Sequence, residues 1–524
     1  MKRLRLYILL AAMAITIIDM TAANRYRLYL KDKAGSQYCA LSERAMQRRL
    51  RQGIELDSTD LEVSPTYINR LRKLGFNIVS KSRWLNTVVV ERQDGSAISL
   101  ESFKHLSFVV RHEPVEGLGY EYDALTQTAM SQTRHTSKRE AERKLGDASG
   151  TSTPRLSPSS VPNNKLPLTE VHGDALIDNG YRGQGMLIAV LDGGFMNANT
   201  VYNLCRNVIG WYDMYDPEGN TYEMFYGEDH GAMCLSVMTS DSTTGIWGTA
   251  PDAEYFLIRT EYSLTECPIE EDMWVAGAEM ADSIGADLIS SSLGYYEFDN
   301  SAFNHTQSDL TQGTVFISRG AAIAASKGML ICNAAGNEGQ TAWGTIDFPS
   351  DAEDVLSVGA TDAWLNPSYF SSPGFTSPYV KPDVCCRGSA VPAYDPYLGD
   401  ISAVYGTSFA CPLLCGLCAS LWSAVPSLTP AQIRTLVRES GSLADNPTAQ
   451  MGYGIPDFSV ILERAFEIAE PKDPDAISQP QVIEKRNVTD CGQWYDMQGR
   501  RVGKPVRKSM ILIQNGTKKV LLAK

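Results

Sequence analysis

Between residues 166 and 470 the chain alternates short, unbroken apolar runs with longer stretches of helical period. The runs fall at 187–191, 255–259, 288–293, 329–335 and 355–360. The helical stretches fall at 230–239, 269–284, 319–327, 408–424 and 430–439. A strand that is apolar on both faces must be covered on both faces, the condition met by a parallel sheet between two layers of helices. The expectation is an α/β fold, a parallel β-sheet with helices on both faces. Ligands of such sheets bind at the carboxyl ends of the strands, so reactive side chains just past each run carry the most information.

The rest of the chain divides around this unit. Lys2, Arg3 and Arg5 precede an apolar run at 7–18, followed by Thr21, Ala22 and Ala23. That order reads residues 1–23 as a signal peptide cut after Ala23, and predicts export to the cell surface, the medium or a periplasm. The run is shorter than the roughly 20 residues a spanning helix needs. No later run reads as a span, so no transmembrane segment is expected after signal removal. Residues 24–123 read as a small α+β domain, with strands at 25–30, 76–80, 86–90 and 108–111 and helices at 42–52, 67–74 and 98–105. Residues 124–165 are rich in Ser, Thr, Pro, Lys and Arg and poor in large apolar side chains, the composition of a flexible linker. Residues 471–487 read as a second linker. Residues 488–524 read as a short basic β tail, either a plain appendage or a sorting module of an exported protein.

Charge is distributed unevenly. The net charge of −14 makes nucleic acid an unsuitable partner. Residues 166–470 carry −29, whereas residues 24–123 carry +3. Two readings fit: a solvated acidic surface, or a basic N-terminal domain docked on an acidic one. Of the eleven cysteines, Cys234, Cys332, Cys411, Cys415 and Cys418 lie in apolar or helical contexts and read as small buried hydrophobes. No metal and no particular bridge is expected from their spacing.

Three segments set a reactive side chain where an apolar element ends. Asp192 follows the run at 187–191 and precedes Gly193-Gly194. His230 opens a helix of small residues, as His230-Gly231-Ala232. Ser408 stands at a glycine-to-helix junction, Gly406-Thr407-Ser408-Phe409-Ala410-Cys411-Pro412, where a helix-capping serine is the simpler reading. Together they supply what an alcohol nucleophile needs. A base must take its proton, and a carboxylate must hold that base in the right tautomer.

The chain order Asp192, His230, Ser408 and these motifs resemble the subtilisin-like serine protease family. Ala334-Ala335-Gly336-Asn337-Glu338-Gly339 resembles that family's oxyanion segment, and Gly248-Thr249-Ala250-Pro251 and Lys381-Pro382-Asp383-Val384 resemble further family segments. The resemblance spans about residues 166–465. It implies a subtilisin-like fold and a serine endopeptidase in which Asn337 donates to the oxyanion. It also implies that Ser291, Ser292, Leu293 and Gly294 pair with an extended protein or peptide substrate. The insertion at 295–313 would lie at the rim of the specificity pocket. Residues 24–123 would then be a pro-domain, inhibiting the enzyme intramolecularly, rather than a permanent accessory domain. No cofactor is expected. Asp213, Asp216, Glu218 and Asn220 match no defined calcium spacing and read as a solvated acidic loop. A silent protease fold and a lipase-type hydrolase are the rival readings, and no Gly-x-Ser-x-Gly elbow surrounds Ser408.

Overall fold

The computed structural model describes residues 22–116, 164–216, 222–241, 245–263 and 265–469, with four short strands between 494 and 520. The signal-peptide reading of residues 1–21 and nearly all of both linkers lie outside the described residues.

The N-terminal domain forms from local signals that agree. Strand β1 (Arg25–Leu30) is followed by helix α1 (Glu43–Arg51), whose cap Ser42 accepts from the Ala45 N–H. Helix α2 (Pro65–Lys73) begins on a proline, which has no N–H to leave unpaired there. Strands β2 (Phe76–Ser82), β3 (Thr87–Arg92) and β4 (Val109–Glu116) complete an antiparallel sheet in the order β2-β3-β1-β4. The helix expected at 98–105 is not formed. Ile98–Ser99 is a short strand paired with Ala22–Ala23, and a single 3-10 turn, Leu100–Ser102, follows. The Ser99 hydroxyl accepts from Glu101 N–H, a local bond that competes with helix formation.

The larger unit carries seven parallel strands. They are β5 (Leu187–Asp192), β6 (Val208–Asp213), β7 (Glu254–Arg259), β8 (Leu288–Ser291), β9 (Leu330–Ala334), β10 (Val355–Thr361) and β11 (Val384–Arg387). Between them lie the helices α3 (His230–Thr239), α4 (Ile269–Ile284) and α5 (Phe316–Ser326). Beyond them come the hairpin β12 (Val391–Asp395) and β13 (Asp400–Val404), then α6 (Thr407–Ala424), α7 (Pro430–Glu439) and α8 (Phe458–Ala469). The sheet order β11-β10-β9-β8-β5-β7-β6 reverses direction at β5. The crevice at such a reversal is where this architecture binds ligands. Strand pleating sorts the core. Ile188 and Val190 join the cluster that includes α3 and α6, whereas Leu187, Ala189 and Leu191 join the cluster under α4 and α5. Strands β6 and β11, the hairpin and α8 were not legible in the sequence. By length and composition α6 could cross a membrane, contrary to the reading above, but 83% of it is buried inside the protein. Its apolar surface serves the core.

The N-terminal domain sits on α4. Asp272, Glu279 and Asp282 form a stripe along one face of that helix, at helical spacing. Arg27 forks onto Asp272 at 2.8 and 2.6 Å. Arg83 reaches Glu279 at 3.2 Å and Asp282 at 3.1 Å. Arg48 and Arg49 also pair with Asp282. Trp84 and Leu85 enter the apolar cluster beneath the sheet. Gly285 ends α4 with φ +89°, and a Cβ there would stand 2.7 Å from Ala45 N, so glycine serves both the helix end and the close approach of α1. These acids of the −29 unit are therefore buried partners of basic residues, not a solvated face.

Candidate active site

The end of β5 fixes the first candidate. Asp192 is 1% exposed, and its Oδ1 accepts from the Gly193 N–H and the His230 Nδ1, both at 2.8 Å. The backbone holds the loop: Thr260 N–H donates to Asp192 O, and Arg259 Nε donates to Gly193 O. His230 is the first residue of α3. Its neighbour Gly231 is required there, because a Cβ would stand 2.8 Å from Asp192 Cβ.

Ser408 lies in the first turn of α6, one residue past Thr407, with Gly406 as the cap. It is therefore not the capping serine. Its N–H belongs to the group that a helix leaves without an intrahelical acceptor. Pro412 stands inside α6 and has no N–H to give the carbonyl four residues earlier. That carbonyl is Ser408 O, and two other residues take it: Ser292 Oγ donates at 2.7 Å and Cys234 Sγ at 3.3 Å. The proline thus releases a carbonyl that ties the serine to the end of β8 and to the histidine helix. Cys234 also lies 3.8 Å from His230 Nε2, which sets the imidazole and Ser408 side by side.

Asn337 follows β9. Its Oδ1 accepts from Thr407 N–H at 2.9 Å and Thr407 Oγ1 at 3.1 Å. With the oxygen held, the amide N–H₂ is directed to the other side, beside Gly406 and the start of α6. An oxygen bound between Asn337 Nδ2 and Ser408 N–H would meet two fixed donors and the positive end of a helix. Asn337→Leu is expected to lower kcat by about 10²–10³-fold with little change in KM, read from steady-state kinetics on a peptide substrate.

Of the four expected substrate-pairing residues, three already carry hydrogen bonds within the protein, Ser292 through the hydroxyl that holds Ser408 O. Ser291 Oγ accepts from Trp274 Nε1 and Ser291 O from Cys411 Sγ, and Leu293 O accepts from Asn333 Nδ2. Pairing of β8 with both neighbours ends at Ser291, so Ser292–Gly294 lie just beyond the sheet ladder. The sequence reading held Thr407 and Pro412 within the Ser408 motif without giving either a role, and it read Cys234 only as a small buried hydrophobe. Pro412 was visible in the Ser408 segment, but its effect on a carbonyl needs the helix.

Burial opposes a charge on His230, but Asp192 raises its pKa well above the ordinary 6.5. A general base must be neutral. The kcat/KM profile is therefore expected to rise with pH through a value above 6.5, and Asp192→Asn should move that limb downward.

Donor atoms of Asp192, His230 and Cys234 all lie within 4.8 Å of one another. Burial raises the Cys234 thiol pKa, and the charge on His230 opposes this. Asp213 of the acidic loop pairs with Arg259 at 2.9 Å, and residues 217–221 lie outside the described residues.

A profile of the Subtilase family, Peptidase S8, matches residues 183–454, just over half of the chain. The chain belongs to the subtilase family. Residues 25–135 match the Peptidase S8 propeptide domain of Bacteroidota, so this subtilase carries a pro-domain. Subtilisin E of Bacillus subtilis is 26% identical over 282 residues, 53% of this chain and 66% of that protein, slightly under two thirds. Subtilisin DY of Bacillus licheniformis is 26% identical over 287 residues, 54% of this chain and 92% of that protein. Mouse membrane-bound transcription factor site-1 protease is 26% identical over 333 residues, 61% and 28% of the two chains. The solved prenylagaramide maturation protease PagA aligns with TM-score 0.45 at 18% identity, covering 56% of this chain and 98% of that one.

Proposed function

We propose that this subtilase is an exported serine endopeptidase, made as a zymogen. Ser408 Oγ attacks the carbonyl of a peptide bond while His230 takes its proton. Asp192 holds the imidazole by Nδ1 and stabilises its cationic form. Asn337 Nδ2 and Ser408 N–H receive the oxyanion. His230 returns the proton to the leaving amine, an ester to Ser408 remains, and water activated by His230 releases it. The observation that carries this reading is the 2.8 Å bond from His230 Nδ1 to Asp192, beside the tethered Ser408.

The pro-domain is proposed to act as intramolecular inhibitor, a role supported by its docking on α4. Export is supported by the basic, apolar and small-residue order of residues 1–23. A fluorophosphonate probe should form an adduct on Ser408, mapped by mass spectrometry of the purified product. A protein that hydrolyses casein yet carries no adduct on Ser408 would defeat the assignment. The mature termini from the same spectra test the cut between the two domains.

A further inference from the structure

Strands β8 and β9 pair in parallel as far as Ser291 and Asn333. Beyond that register one continues as Ser292–Gly294 and the other as Ala334–Asn337. Asp347 closes the base of the gap between them. Its N–H donates to Ala335 O at 3.0 Å, and the next residue, Phe348, exchanges both backbone bonds with Tyr295, at 2.9 and 3.2 Å. The dipeptide therefore bridges the two walls, and its aspartate side chain rises between them. A Cβ at Gly294 would stand 2.7 Å from Asp347 Cβ and 3.0 Å from its Oδ2. A Cβ at Gly336 would stand 2.7 Å from Asp347 Cγ. Glycine on both walls leaves this carboxylate as the nearest group in the gap.

Folding alone does not account for such an acid. Asp347 is 6% exposed, and its Oδ1 has no hydrogen-bond partner among the described residues. A buried carboxylate oxygen left without a partner is costly. Burial and the nearby Glu338 push its pKa well above the usual carboxylate range, with the Trp343 side chain offsetting this in part. A cation would relieve both effects. The surroundings suit one: Tyr296 stacks on Trp343 with ring centres 4.6 Å apart, and Glu338 bonds to Tyr296. Position matters as much as charge. The scissile carbonyl sits between Asn337 and Ser408, so the side chain of the same substrate residue leaves the backbone next to Gly336.

We infer that Asp347 selects substrates in which a basic side chain, Arg or Lys, belongs to the residue contributing the carbonyl of the cleaved bond. This rests on the serine-endopeptidase reading and gives its substrate class. The cationic head passes over the Gly294 and Gly336 backbone and pairs with the Asp347 carboxylate that lies between them. An uncharged side chain there leaves the acid buried and unpaired, which is how a polar site rejects a ligand that cannot match it.

The test uses the processed wild-type protein and two fluorogenic peptides that differ only in Arg or Leu at that residue. The Arg peptide is expected to give a kcat/KM about 10²-fold higher. Asp347→Asn, and Asp347→Ser should the first fold poorly, are expected to reduce that ratio at least tenfold. Benzamidine, a planar cation, should inhibit the wild type competitively, a readout that needs no variant. A ratio near one without benzamidine inhibition, while fluorophosphonate still labels Ser408, would overturn the Asp347 assignment alone. Absence of both labelling and hydrolysis would overturn the serine-peptidase reading and this one with it.

Discussion

Ser408→Ala is expected to lower kcat for peptide hydrolysis by about 10⁶-fold, the scale on which a nucleophile and its base act as one unit. His230→Ala should cost about as much, and the double variant hardly more than either. Without the hydroxyl the imidazole has nothing to deprotonate, and without the imidazole the hydroxyl stays a weak alcohol. Asp192→Asn should fall by about 10⁴-fold, because the amide favours the wrong tautomer of a ring that can still move. If cleavage after the pro-domain is intramolecular, Ser408→Ala should also leave the secreted chain in one piece. Gel mobility and intact mass follow that outcome separately from turnover. Activity of Ser408→Ala within tenfold of the wild type would remove Ser408 from the mechanism, whatever the bond between Asp192 and His230.

The site was legible because its parts sit at ends of elements that sequence alone marks clearly. The helix expected at 430–439 is found at Pro430–Glu439, since Thr429 and Gln432 form a capping box at its start. The helix expected at 269–284 is found at Ile269–Ile284, closed by Gly285 in the left-handed region. The edge strand Val208–Asp213 was missed because its residues are mostly half-buried, giving neither a continuous run nor a clean alternation. The run at 288–293 is two residues longer than its strand, which stops at Ser291, the last residue paired with either neighbour. Asp347 has no motif around it. The backbone bonds of Phe348 with Tyr295 and of Asp347 with Ala335 bring it between the two walls, and the first pairing is long-range. The acidic stripe on α4 was visible as charge, but whether solvent or arginine meets it depends on residues 196 to 245 positions earlier in the chain.

The second large effect is expected at that stripe. Asp282→Ala should weaken the hold of the pro-domain by about 3–5 kcal/mol, the cost of removing one partner from a buried ionic group. Asp282 is fully buried and receives Arg48, Arg49 at 2.7 Å and Arg83 at 3.1 Å. Each arginine keeps another partner: Ala286 O for Arg48, the Asp60 carboxylate as an ion pair for Arg49, and Glu279 for Arg83. Three guanidinium groups nevertheless lose the charge that gathers them. Diluting the cut but still associated complex should release activity at a pro-domain concentration about 10²- to nearly 10⁴-fold higher than for the wild type. Lys81→Ala, at the exposed pair with Glu62, should change that concentration by less than about fivefold. General misfolding can be separated from loss of the interface by the sign of a second effect. Asp282 lies in the last turn of α4, where the helix dipole disfavours an acid and no basic residue of that turn offsets it. Once the pro-domain has gone, alanine there should leave the mature domain as stable as the wild type or more stable, by up to about 1 kcal/mol. A variant whose mature domain also melts earlier would show that Asp282 supports the catalytic unit itself, and the docking role would fall.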